Sequence, residues 1–220
     1  MNKPVTFSTL FFLALAVVGC DGAGSSTLER RAVPLYVLGV EDFSPGEGAG
    51  FGQDRFPEIV FGEPDGKGPS AGGTDVVSLG AGGVITVSFG EAFIIDGPGP
   101  DFAVYENAFF VGGDPNKVFF ELGEVSVSMD GEEWSTYPCN AASEGPSWPG
   151  CAGVTPTLPC KPNPEDQNRL DCGGDLFDLE ELGLNAIRYI RIRDMSEAGS
   201  KPSAGFDLDA VAAFHWELGG

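Results

Sequence analysis

The chain is poor in positive charge. Twelve lysines and arginines face 33 acidic residues, for a formal net charge of -21. No basic cluster exists to neutralise a phosphate backbone, which excludes nucleic acid as a partner. Attraction to anionic lipid surfaces is disfavoured for the same reason, whereas divalent cations are favoured. Histidine is scarcer still, with His215 alone at the end of the last strand pattern. A Ser-His-Asp triad would have to use it, and no G-x-S-x-G elbow is present. No D-x-[DN]-x-[DN]-G run marks an EF-hand, and no C-x₂-C pair marks a zinc site. The glycine run Gly80–Gly83 lies between strand patterns and opens no helix, so it is no phosphate loop. Internal repeats of 20–50 residues are absent. Beyond the N-terminus, no apolar run is long enough to span a bilayer.

What the chain does contain is turn formers among apolar residues. It has 33 Gly, 17 Pro and 17 Phe, and 42% of its residues are hydrophobic. A chain this apolar buries a core, and frequent Gly and Pro cut it into short strands. Ile85, Val87 and Phe89 alternate with Val84, Thr86 and Ser88. Val125, Val127 and Met129 alternate with Ser126 and Ser128, and Leu208 to Phe214 alternates likewise. This period of two describes half-buried strands. Further strands are predicted at Leu35–Val40, Ile59–Phe61, Val76–Leu79, Phe102–Glu106, Trp134–Tyr137 and Ile187–Arg193. Asp130-Gly131 signals a hairpin, and a helical turn is predicted near Asp175–Leu182, capped by Asp178 or Asp175. The expected fold is all-β: an antiparallel β-sandwich of jelly-roll type spanning 35–220. Residues 138–174, rich in Pro and Cys, read as a long irregular insertion.

The N-terminus carries an address. Lys3 precedes the apolar run Leu10–Val18, which is too short to span a membrane and reads as a signal peptide over 1–19. Val17-Val18-Gly19-Cys20 resembles a bacterial lipobox, which implies cleavage before Cys20 and acylation of its thiol. Several buried acyl chains hold a protein in a bilayer, at about 0.8 kcal/mol per CH₂. Residues 20–34 read as the lipidated cysteine and a flexible tether. The expected location is the bacterial cell envelope, at the outer membrane or cell surface rather than the inner membrane. Four cysteines remain, Cys139, Cys151, Cys160 and Cys172. An even number in an oxidising compartment predicts two disulfides. Three pairings are open, and the equal intervals within 139–151 and 160–172 make sequential pairing attractive.

Several segments resemble a poorly characterised family of bacterial surface proteins and lipoproteins. They are Phe43–Gly52, Val77–Gly80 with Gly82-Gly83, Asp96–Phe102 through Glu106-Asn107, and Gly205–Val211. At greater distance the layout resembles galactose-binding-like jelly rolls, which implies a structural calcium near an early turn and the last strand, and a glycan as ligand.

The residues themselves supply candidates for that chemistry. Calcium takes six to eight oxygens from carboxylates, amides and carbonyls. Asp207 and Asp209 share one strand face, Asp96 and Asp101 bracket a Gly/Pro turn, and Glu106 and Asn107 follow a strand. These six are the expected calcium ligands; the alternative is that they cap turns or pair with Arg188, Arg191 and Arg193. Trp148, between two prolines in the cysteine-rich loop, is the candidate sugar-stacking residue. The expected function is a lipid-anchored, non-catalytic surface or periplasmic binding module, calcium-stabilised and carbohydrate-binding, with a glycan or an envelope protein as partner. The alternatives are a purely structural envelope lipoprotein and, further off, a glycoside hydrolase built on a carboxylate pair.

Overall fold

The computed structural model describes residues 34–143, 148–162 and 170–219. The expected signal peptide, Cys20 and the tether up to residue 33 lie outside the described residues, as do parts of the insertion. In chain order the strands are β1 (Leu35–Tyr36), β2 (Gly39–Ser44), β3 (Val77–Ser78), β4 (Val84–Ser88), β5 (Ala92–Ile95) and β6 (Phe102–Glu106). Next come β7 (Phe109–Phe110), β8 (Val118–Phe119), β9 (Gly123–Ser128), β10 (Ser135–Thr136), β11 (Cys151–Ala152) and β12 (Thr157–Pro162). The order ends with β13 (Leu170–Gly173), β14 (Asp175–Phe177), β15 (Ala186–Ile187), β16 (Tyr189–Asp194), β17 (Asp207–Ala213) and β18 (Trp216–Leu218).

Two antiparallel sheets form the sandwich. The first runs β1-β17-β6-β14 with β3 also on β17; the second runs β10-β9-β16-β4-β2 with β11 also on β9. Strand alternation sets what lies between them. Phe102 and Val104 of β6 and Val211 of β17 meet Ile85 and Val87 of β4, Val125 and Val127 of β9, and Ile190 and Ile192 of β16 in one buried core. Each such side chain contributes about 1.5–3 kcal/mol by leaving water. At one end Phe177 stacks on Phe102 at 5.1 Å, and Tyr137 meets Phe177 edge-on at 4.9 Å. The Tyr137 hydroxyl donates to the Asp178 carbonyl at 3.0 Å, which satisfies the polar end of a buried ring.

The expected all-β sandwich is therefore the fold, with four local differences. The run 35–40 is not one strand. Val37 donates to Val211 in the first sheet and Leu38 to Ser88 in the second, so the chain changes sheets between them. Residues 59–61 do not form a strand either: Glu58–Val60 is a 3₁₀ turn that buries both Ile59 and Val60. The predicted helical turn is a 3₁₀ turn at Leu179–Leu182, capped by Asp178 accepting from the Glu180 N–H at 2.9 Å. Asp175 is no cap but a member of β14.

The insertion is also more ordered than its composition predicts. Its disulfides pair sequentially, Cys139 with Cys151 and Cys160 with Cys172. β11 joins the second sheet at β9, while β12 and β13 form a hairpin of their own. Cys160 and Cys172 of that hairpin pack on Ala103, Tyr105, Ala210 and Ala212, so it roofs the outer face of the first sheet. The outer face of the second sheet carries no such roof among the described residues. Asp175 pins the insertion, accepting from the backbone N–H groups of Gly153, Val154 and Thr155 at 2.7, 2.9 and 3.1 Å.

Candidate functional site

The six acidic and amide residues read from the sequence divide between two ends of one strand. Asp101 precedes β6 and Glu106 closes it. Five residues of strand separate such positions by about 17 Å. β17 runs antiparallel beside β6, which places Asp207 at the Glu106 end and His215 at the Asp101 end.

At the Asp101 end, oxygens of Asp96, Asp101 and Asp178 lie within 4.8 Å of one another. The buried member of this trio is already saturated. Asp101 is fully buried. Its Oδ1 accepts from the Gly97 N–H at 2.8 Å and the His215 Nδ1 at 2.7 Å, and its Oδ2 accepts from the Leu179 N–H at 2.8 Å. Gly97 has to be glycine, because a Cβ there would collide with the His215 ring. Asp101 thus joins the turn at Gly97, the 3₁₀ turn and the end of β17. A carboxylate with both oxygens committed to three donors is a structural knot with little left to offer an ion.

The Glu106 end is different. Glu106 is fully buried, and neither of its carboxylate oxygens has a hydrogen-bond partner among the described residues. Burial pushes its carboxyl well above the usual range, and the charges of Asp207 and Glu121 push it further; the nearby backbone N–H groups of Asn107 and Asp207 oppose this only in part. The side-chain oxygen of Asn107 is also buried without a partner. Its amide nitrogen reaches Asp207 Oδ2 at 3.5 Å, and Asp207 Oδ1 accepts from the Ser78 hydroxyl. A bulge in β17 between Leu208 and Ala210 brings Asp209 to the same locality. The point where a Cβ of Gly73 would sit lies 3.2 Å from the Asp65 carbonyl oxygen and 3.9 Å from both Asn107 Oδ1 and Asp209 Oδ2. A Cβ at Gly72 beside it would crowd the Asn107 carboxamide, which would have to shift.

This is an oxygen-lined cradle kept open by two glycines. Around it every perturbed carboxyl is shifted the same way. Burial raises Asp207, and the Ser78 and Asn107 hydrogen bonds resist. Burial, with the charges of Asp75 and Asp65, pushes Asp209 up to about 7. Glu121 is pushed up to about 8 by burial and then by Asp207 and Asp194. A cleft of about 330 Å³ opens over Asn107, Glu121 and Asp207, walled by Phe51, Phe109 and Phe119. The carboxylates of Glu106, Glu121 and Asp207 do not draw together within 4.8 Å as the Asp101 trio does. Every donor is an oxygen, from carboxylate, amide and carbonyl, which suits a hard cation.

Four of the six expected ligands, Glu106, Asn107, Asp207 and Asp209, therefore lie at the same end of β6 and β17, without three of their carboxylates coming within 4.8 Å of one another among the described residues, while Asp96 and Asp101 lie at the other end. Glu121 and the Asp65 carbonyl went unread in the sequence. Glu121 does stand out as the lone acid in the apolar run Val118–Leu122. The three arginines do not neutralise the expected carboxylates. Arg188 lies over the Phe93 ring, Arg191 over Trp134, and Arg193 reaches Glu124 at 4.0 Å. Trp148 packs on Phe120 with ring centroids 4.0 Å apart, so one of its faces is already covered.

No protein-family model matches the chain, and no curated protein matches it. Among solved structures, a chain described as "Glycoside hydrolase" is 15% identical, with a TM-score of 0.24, over 62% of this chain and 19% of that one. This chain thus spans about a fifth of the length of that protein. A likeness of that size assigns neither fold nor function.

Proposed function

We propose that the chain is a lipid-anchored, non-catalytic binding domain of the cell envelope whose sandwich is closed at one end by a calcium ion. One observation carries the calcium reading: the two carboxylate oxygens of Glu106 and the side-chain oxygen of the next residue, Asn107, are each buried without a partner among the described residues. A buried polar group left unpaired costs about 1–3 kcal/mol, and more when it is charged. A divalent ion held by Glu106, Asn107, Asp207 and Asp209 removes that cost and offsets the repulsion among them. When bound, calcium supplies charge neutralisation and a fixed geometry for the loops at this end.

The direction of the carboxyl shifts argues against glycoside hydrolysis at the same place. An acid–base pair works when its environment holds one carboxyl protonated and the other ionised. Here Glu106, Glu121, Asp207 and Asp209 are all raised, each of them first by burial, and none is held ionised beside a protonated partner. The anchor rests on the chemistry of Cys20 after a signal-like segment. The two disulfides fit an exported protein, because such bonds persist in oxidising compartments.

Calorimetric melting of the full chain in EDTA and in excess calcium tests the first half. At a free calcium concentration of about 100 times Kd the gain is about 2.7 kcal/mol. An unchanged melting temperature refutes a tight site. Mass spectrometry of protein from its native host tests the second half: acyl mass on Cys20 is expected, and a free thiol overturns the anchor.

A further inference from the structure

The cleft of about 330 Å³ over Asn107, Glu121 and Asp207 joins phenyl rings to carboxylates. Phe109 and Phe119 stack across the β7–β8 hairpin, with centroids 5.1 Å apart and planes 19° from parallel. Phe51 comes from the loop before β3. Its N–H donates to the Pro202 carbonyl at 2.7 Å, and its carbonyl accepts from the Ser78 N–H at 3.1 Å. The Ser78 hydroxyl also donates to Asp207, so one residue of β3 ties the ring's loop to a carboxylate of the cleft. No lysine or arginine lines this space. Among the described residues, none of Glu106, Glu121, Asp207 and Asp209 belongs to an ion pair.

Glu106 supplies a second observation. Alternation along β6 sends Phe102 and Val104 between the sheets, and Glu106 with them. The charges that reach it are those of Asp207 and Glu121, the two carboxylates of the cleft. It is fully buried beside them, with neither oxygen partnered. Four carboxylates thus stand at this end of the sandwich. One divalent ion bound among them still leaves negative charge facing the cleft.

We propose that the cleft binds a small organic cation carrying a methylated ammonium group, with its methyls against Phe51, Phe109 and Phe119 and its charge offset by Glu121 and Asp207. The proposal names a ligand class for the binding-domain reading and rests on that reading. The face of an aromatic ring is negative and attracts a cation within about 6 Å of its centroid. A trimethylammonium spreads its charge over methyl groups, which suit apolar walls. A primary ammonium holds its water tightly and finds no hydrogen-bond acceptor in a phenyl ring, so these walls favour it less. A bare divalent ion takes oxygens on all sides, which the Asp65 and Asp209 cradle offers and the phenyl walls do not. A neutral apolar ligand would cover the two carboxylates without pairing them, at a cost. A zwitterion would bring its anion beside Glu121 and Asp207. The chain's net charge of -21 attracts a cation from a distance as well. The volume lies at the lower end of the range of about 300–1,000 Å³ usual for ligand sites, which fits a free solute.

Calorimetric titration of the full chain in non-ionic detergent, at about pH 8, uses choline as the probe. Its neutral tert-butyl isostere, ethanolamine and phosphocholine run beside it. Choline is expected to bind, and each of the other three to bind at least about tenfold more weakly. Phe119→Ala and Glu121→Gln are each expected to weaken choline binding by about threefold to thirtyfold. Phe119 is 43% exposed on a two-stranded hairpin, so its replacement leaves the core and the calcium melting shift intact. No binding at about 10 mM choline overturns the proposal. Equal or tighter binding of the isostere, ethanolamine or phosphocholine overturns it too, as does choline binding that both variants keep in full. If the calcium shift persists in any of these cases, the ligand alone is refuted. Choline binding without a calcium shift refutes the metal and upholds the ligand.

Discussion

Replacing Glu106 by Gln separates a metal ligand from a buried carboxyl that merely tolerates its surroundings. Gln keeps the size and shape of the side chain and removes its charge. Wild-type Glu106 sits fully buried with both oxygens unpaired, beside Asp207 and Glu121, so in chelator at neutral pH its acidity only burdens the fold. Glu106→Gln in EDTA is therefore expected to melt at or above the wild-type temperature. In calcium the order reverses. The wild type gains about 2.7 kcal/mol at about 100 times Kd. For a domain of this size, 1 kcal/mol moves the melting temperature by about 2–4 °C, giving a shift of about 5–10 °C. The variant is expected to lose most of that shift. Paired calorimetric scans of both proteins in EDTA and in calcium give the four temperatures required. A variant that keeps the full calcium shift, or one that falls far below the wild type in EDTA, refutes the assignment of Glu106 as a ligand.

Two further outcomes follow from other carboxylates. Asp101→Ala leaves the Gly97 and Leu179 N–H groups and the His215 ring without their shared acceptor. Loss of about 3–5 kcal/mol is expected in urea unfolding, with the calcium shift intact; a loss below about 1 kcal/mol would sink the knot. In EDTA, stability is expected to fall as pH rises. The folded Asp209 and Glu121 titrate near 7 and 8 against ordinary values of 3.8 and 4.5, so across that interval the folded state holds more protons than the unfolded one. Their contribution is complete below about pH 4 and disappears through about pH 8. Asp209 accounts for on the order of 2–4 kcal/mol of it, and the half-exposed Glu121 for less. Melting in chelator at pH 5 and pH 8 checks the sign, and higher stability at pH 8 would contradict it.

The chain's own chemistry determined the class of fold. Alternation at Ile85–Phe89 and Val125–Val127 requires strands with one face in a core, whatever the topology. The bulge instead splits Leu208–Phe214: Leu208, Val211 and Ala213 enter the core, and Ala210, Ala212 and Phe214 lie under the disulfide hairpin. The equal intervals 139–151 and 160–172 made sequential disulfides an attractive pairing among three, and the structure decided for it. The calcium candidates were legible as types: acids and an amide beside turns. Sequence periodicity could not say that Asp101 and Glu106 occupy opposite ends of one strand, because a period records faces and not distances. Nor could it reveal that Asp101 is saturated by donors from Gly97, Leu179 and His215, two of them far away along the chain. The bulge beside Asp209, the glycine pair that opens space for Asn107, and the approach of Glu121 are products of strand pairing and loop packing. Tertiary structure alone decided which carboxylates were given partners and which were buried without them, because burial and hydrogen bonding are fixed only when distant segments meet.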